Sequence, residues 1–167
     1  MSTDEQPDEA EALVEPGLGD GRVVVGVDDS EQAAAALRWA LREGAMRGCT
    51  VEVVHSWSPP LSALPFGATF VIPVDDGEID AKAREAVDAL VDDALGGLDD
   101  QPPEVLRTIL PGGPATTLIE VAETADLLVV GSHGRSRWGR AVLGSVAMAC
   151  VTHASCPVVV VRLPFAE

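Results

Sequence analysis

Two periodicities alternate along the chain. Val-rich runs of strand length are separated by stretches whose apolar residues recur every three or four positions. The first pattern belongs to strands covered on both faces, the second to helices buried along one side. RVVVGV (22–27) is the first run. Residues 29–48 then predict a helix, with Asp29 or Ser30 as N-cap, Gly48 as its stop, and Ala33, Ala36, Leu37, Ala40 and Leu41 as its buried stripe. TVEVVHSW (50–57) predicts a second strand. A second helix is expected from about Glu78 to Leu95, its stripe formed by Ala83, Ala86, Val87, Leu90, Val91 and Ala94.

EVLRTILP (104–111) predicts a third strand, and Arg107 and Thr108 within it suit an edge position. A helix over 114–125 opens on Pro114, a residue favoured in the first turn. DLLVVGS (126–132) and CPVVVVRL (156–163) read as the fourth and fifth strands, with a helix over GSVAMACVTHA (144–154) between them. Residues 58–77 break the rhythm: four prolines argue against a long helix or a central strand and predict a long loop. The order βαβαβαβαβ predicts an α/β fold, a doubly wound five-stranded parallel sheet with helices on both faces.

Composition and charge narrow the function. Nearly half of the 167 residues are apolar, mostly Ala, Val and Leu, and the formal net charge is −16. Such a balance argues against a general nucleic-acid binder, which needs a basic face for phosphates. No apolar run approaches the ~20 residues of a membrane span, and no signal-peptide pattern is expected at the N-terminus. Cys49, Cys150 and Cys156 form no CxxC pair, which reads as reduced thiols in the cytoplasm and argues against a zinc site. Residues 1–20 carry seven acids and no Lys or Arg, and are expected to be a flexible acidic tail ahead of a single domain over 21–167.

Against that acidic background, one segment stands out. GSHGRSRWGRAVLGS (131–145) follows the fourth strand and concentrates Gly131, Gly134, Gly139 and Gly144 with Arg135, Arg137 and Arg140. Glycines permit close backbone approach, the helix start offers free N–H groups, Ser145 adds a hydroxyl, and the arginines add positive charge: together they suit a polyphosphate. In a doubly wound sheet ligands sit beyond the carboxyl ends of the strands where strand order reverses. The segment leaving the first strand, GVDDS (26–30), faces the same crevice if the first and fourth strands are neighbours. There Asp28 either accepts from a sugar hydroxyl or caps the first helix. Other motifs fail. GVDDSEQ lacks the dinucleotide G-x-G-x-x-G, and GRAVLGS lacks the P-loop lysine. A receiver domain would need an Asp after the third strand and a Lys near the fifth, whereas the chain's lysine is Lys82.

With these residues in hand, the chain resembles the ATP-binding universal stress proteins: GSHGRSRWGRAVLGS fits their G-x2-G-x9-G-[ST] signature. The likeness extends over residues 21–163, through VVVGVDDSEQAAAALRWA, VEVVHSW, PGGPATTLIEVAETADLLVVGSHG and SVAMACVTHASCPVVVVR. The resemblance implies strand order 3-2-1-4-5 and ATP, with Mg2+ on its phosphates, between the first and fourth strands. Carried over, Gly26, Val27 and Asp28 contact adenosine, and Val51 borders the adenine. Val130, Gly131, Ser132, His133 and Gly134 line the ribose and phosphates, and Gly144, Ser145 and Val146 hold the phosphate end. Arg135, Arg137 and Arg140 supply charge. It also implies a homodimer through the fifth strand (Val158, Val159, Val160, Val161), an apolar edge open to a second chain.

Trp138 is a departure and either packs over its own loop or stacks on a base or partner. His55 and His153 read as structural. The resulting function is a nucleotide-dependent regulatory protein acting on an unidentified protein partner. The alternatives are a slow ATPase or autokinase, for which only Asp28, Asp29 or His133 could serve as base, and a cAMP binder using the same crevice. A valine at Gly131 is expected to fill the space where backbone meets phosphate.

Overall fold

The computed structural model describes residues 21–58, 61–63, 69–71, 76–98, 101–134 and 143–163. The acidic segment 1–20, Arg135, Arg137, Trp138 and Arg140 lie outside them. The strands are β1 (Arg22–Gly26), β2 (Thr50–Trp57), β3 (Leu61–Ala63), β4 (Thr69–Val71), β5 (Val105–Pro111), β6 (Leu127–Gly131) and β7 (Val158–Val161). The helices are α1 (Glu31–Arg47), α2 (Asp76–Leu95), α3 (Pro114–Val121), prolonged by a 3-10 turn at Ala122–Thr124, and α4 (Ser145–His153).

Five strands form one parallel sheet in the order β5-β2-β1-β6-β7. Counting only the strands of that sheet, this is the order 3-2-1-4-5. The pairing sets Val25 opposite both Val53 and Val129, and Gly131 opposite Val161. β1 and β6 therefore end side by side. The third strand of the sheet is an edge, as its polar residues imply.

Alternation along the strands divides the core in two. Val23, Val25, Val51, Val53, Leu127 and Val129 pack against α1 and α2. Val24, Val54, Leu128 and Val130 face the other way, onto Leu118 of α3 and Ala147 and Cys150 of α4. The predicted α1 stripe is buried throughout, Ser30 caps the helix by accepting from Ala33 N, and Gly48 ends it at φ 68. In α2 the buried line is Val87, Val91 and Ala94, whereas Ala86, expected in the stripe, is exposed. Position 86 lies about 100° around the helix from Val87, beyond the edge of so narrow a stripe.

Within the predicted long loop 58–77, β3 and β4 pair antiparallel as a short two-stranded sheet apart from the main one. Trp57 Nε1 donates to Asp80 Oδ1 (2.6 Å) and ties the end of β2 to α2. At the amino end of the sheet, Arg22 pairs with buried Glu52 (2.5 Å), which also accepts from Thr108 Oγ1 (2.6 Å). Among the described residues, no helix is long and apolar enough to cross a membrane.

Candidate nucleotide site

β1 runs out at Gly26 into Val27 and Asp28, whose backbone is held on two sides. Val27 N donates to Val54 O (2.9 Å), and His55 Nδ1 donates to Val27 O (3.0 Å). Asp28 Oδ1 then accepts from Ser30 N (3.0 Å) and from the Ser30 hydroxyl. Of the two roles open for Asp28 in the sequence, helix support is thus present in an indirect form: Asp28 orients the cap and Ser30 makes it. Its second oxygen lies beside Gly134.

β6 delivers the other wall. Ser132 N donates to Val161 O (2.8 Å), and Gly144 N donates to Ser132 O (2.8 Å). Ser132, 4% exposed, is clamped between β7 and the start of α4. Gly144 is the N-cap of α4 and supplies no side-chain cap, so among the described residues the first-turn N–H groups have no capping side chain. Close packing explains this glycine: a Cβ there would stand 3.2 Å from His133 Cα and 3.3 Å from Ser132 O.

Between these walls lies a cavity of about 310 Å³, within the range of small-molecule sites. Gly26, Val27, Asp28, Val130, Gly131, His133, Gly134, Gly144, Ser145 and Val146 line it. Ser132 stands behind His133, with its Oγ 3.2 Å from His133 Nδ1. His133 Nε2 is buried with no hydrogen-bond partner among the described residues.

Val51 is the predicted site residue that the fold places elsewhere. It lies near the amino end of β2, fully buried on the α1–α2 side, and is absent from the cavity lining. The positions of β2 that reach the cavity are Val54 and Ser56, on the opposite face and nearer the carboxyl end. Ala33, Pro114, Leu118 and Ala147 complete the missed lining. The Gly131 expectation also changes. A Cβ there would meet the backbone of Gln32 at 3.0 Å, so the close neighbour is the first turn of α1.

Chemically the cavity has an acceptor end at Asp28, a donor end at α4, and an apolar wall from Val54, Leu118 and Val130. Such a division suits a ligand with hydroxyls, an anion and a flat apolar part. No group of three or more His, Cys, Asp or Glu among the described residues could hold a metal ion.

Fold and cavity together define a doubly wound α/β protein with a cavity at its switch point. The chain belongs to the universal stress protein family, whose family model matches residues 21–162. It is 35% identical over 146 residues to universal stress protein Rv2623 of Mycobacterium tuberculosis, a match that covers 84% of this chain and 47% of that protein. The chain thus spans about half the length of the curated relatives it matches. Among solved structures it resembles the Archaeoglobus fulgidus universal stress protein in complex with dAMP. There the identity is 26%, the TM-score 0.59, and the coverage 84% of this chain and 97% of that one. A universal stress protein in complex with cAMP is similar at 27% identity and TM-score 0.57, covering 84% and 95% of the two chains.

Proposed function

We propose that the cavity between β1 and β6 binds ATP, with Mg2+ on its phosphates, and that the protein is a nucleotide-dependent regulator. The observation that carries this reading is the pairing of Asp28 with the uncapped start of α4 across one cavity. A sugar hydroxyl suits the carboxylate, and a phosphate suits the helix start. The dAMP and cAMP complexes of similar proteins support an adenine nucleotide. Arg135, Arg137 and Arg140 favour the longer phosphate chain of ATP by their charge in the sequence.

Binding is the primary role in this reading, and an unidentified partner protein responds to the occupied surface. Slow hydrolysis or autophosphorylation would accompany it without defining it. The monophosphates in the two similar proteins favour, as the second reading, a cAMP or mononucleotide sensor. The reading includes a homodimer through β7, an edge strand of four valines paired on one side to β6. A cytoplasmic location fits the free thiols of Cys49, Cys150 and Cys156.

Purified protein would be denatured and any released nucleotide identified by mass spectrometry, followed by calorimetric titration with ATP, dAMP and cAMP. Submillimolar ATP affinity with turnover below one per minute is expected. No affinity for any of the three would overturn the proposal; tighter binding of cAMP than ATP would install the second reading. Light scattering on a sizing column tests the dimer, and a monomer at micromolar concentration would remove it.

A further inference from the structure

We propose that the acidic segment 1–20 docks within its own chain on the outer face of α1, with its carboxylates on Arg38 and Arg42 and its apolar residues on Met46. This surface lies away from the cavity, and the proposal stands apart from the nucleotide reading.

The helix turns an apolar and cationic face away from the sheet. Ala33, Ala36, Leu37, Ala40, Leu41 and Gly44 are its buried side. At about 100° per residue, Ala35, Trp39, Arg42 and Met46 share the opposite side, with Arg38 at its border. From Ala33 to Arg42 the helix carries no acid, and Glu43 is already paired with Arg47. The guanidinium groups of Arg38 and Arg42 make no hydrogen bond or ion pair among the described residues. Met46 is 76% exposed, more than any other large apolar side chain among them. Unpaired cations and an exposed apolar side chain thus share one face in a chain of net charge −16, a combination that suits an acidic segment with apolar residues of its own.

Segment 1–20 has that chemistry and is tethered at the right end. Its acids Glu9, Glu11 and Glu15 are interspersed with Ala10, Leu13 and Val14. It joins the domain at Gly21, whose carbonyl accepts from Thr50 N (3.0 Å) and whose Cβ position lies 2.9 Å from Cys49 Sγ. Cys49 directly follows Gly48, the C-cap of α1, so the tether leaves beside the last turn of that helix. Reach is sufficient. Residues 16–20 extend up to ~17 Å and residues 8–15 up to ~27 Å, whereas Met46 back to Ala35 is ~17 Å along the helix. A tether this short holds the segment at millimolar effective concentration. A free acidic partner lacks that advantage and meets a protein of its own sign of charge.

Methyl NMR on the full chain tests this, since the sequence has only three methionines. With Met, Leu and Val methyls labelled, the Met46 methyl should show NOEs to Leu13 and Val14 at low salt. Raising salt to about 0.5 M should weaken them at least about twofold. Glu9→Arg with Glu11→Arg should abolish the NOEs and shift the Met46 methyl while leaving Met148 in place. Adding Arg38→Glu and Arg42→Glu to that variant should restore them, and melting curves confirm that each variant folds. Absence of the NOEs in wild type would overturn the docking, and their survival in the charge-reversed variant would overturn the role of the arginines. Isotope-filtered spectra of mixed labelled and unlabelled protein decide the remaining point: NOEs found only between different copies would overturn docking within one chain.

Discussion

Asp28 and Gly134 meet across the gap between β1 and β6: a Cβ on Gly134 would stand 2.7 Å from Asp28 Oδ2. The glycine is therefore needed for the space that the carboxylate occupies. Gly134→Ala forces Asp28 to swing away, loosening its hold on Ser30 and moving the acceptor end of the cavity. We expect a loss of about 1 kcal/mol in stability and about tenfold in nucleotide affinity, read by urea unfolding and calorimetry. Gly113→Ala is the control, since a Cβ there meets nothing within 4 Å and its φ of −75 suits any residue. Equal behaviour of the two variants would show that Asp28 does not need Gly134.

Gly131→Val separates packing from plugging. Its Cβ would lie 3.0 Å from Gln32 C and 3.1 Å from Gln32 O, backbone atoms that cannot rotate aside. The expected result is a destabilisation of about 1–3 kcal/mol through displacement of the α1 start, with nucleotide affinity falling as a consequence. A variant as stable as wild type that fails to bind would restore the simpler picture of a side chain filling the ligand's place.

Capping and ligand contact are divided between Ser30 and Asp28. Ser30→Ala removes the acceptor for Ala33 N and should cost about 1 kcal/mol of stability while leaving nucleotide affinity within about threefold. Asp28→Ala should show a similar stability loss and, in addition, at least about tenfold weaker binding of ribonucleotides. Urea curves and titrations on both variants check the split. If both weaken binding equally, Asp28 acts only through the helix start.

Much of this architecture is legible in the sequence because the Val-rich runs and the helical stripes have different periods. The α1 stripe and its Ser30 and Gly48 boundaries follow from local chemistry alone. The site is legible where glycine marks close approach, at Gly26, Gly131, Gly134 and Gly144. Val51 shows where that signal ends. In a strand covered on both faces every position is apolar, so composition cannot say which face a valine occupies. The rule that ligands gather at carboxyl ends already weighs against Val51, the second residue of β2, and toward Val54 and Ser56. Pro114 and Leu118 were hidden for another reason: α3 reaches the cavity only through sheet order and helix packing. The β3–β4 pairing has three residues per strand, too few for alternation to register.

The buried Arg22–Glu52 pair lies at the end of the sheet opposite the cavity, so it should affect stability without affecting binding. Arg22 NH1 contacts Glu52, while NH2 donates to Val121 O (2.9 Å) and Thr124 Oγ1 (2.7 Å). Arg22→Met leaves the Glu52 carboxylate, 9% exposed, without its cation. Because the arginine itself is 28% exposed and partly screened, we expect a loss of about 2 kcal/mol, below the range for a fully buried pair. Combining it with Glu52→Gln should recover at least half. Chemical denaturation of both variants gives the numbers, and an unchanged single variant would mean that water replaces the guanidinium.

Alkaline stability should be governed by Cys150. Its side chain is fully buried on α4, and burial pushes its thiol up to about 11, with Cys156 adding in the same direction. In an unfolded chain a thiol titrates near ~8.5. The folded state therefore holds this proton more tightly, and the stabilisation is fully present below that value. As pH rises further the unfolded chain ionises first, and stability falls until the folded thiol also titrates near 11. The whole loss is about 3 kcal/mol. The sequence has no tyrosine and Lys82 as its lysine, and the other thiol raised by burial is Cys156, which adds to the same alkaline loss. Glu78 raises Lys82 beside it, and that group is fully exposed. Urea unfolding at pH 7.5, 9 and 10.5 should show a steady decline in wild type and a flatter profile in Cys150→Ala. Parallel profiles for the two proteins would assign the alkaline loss to another group.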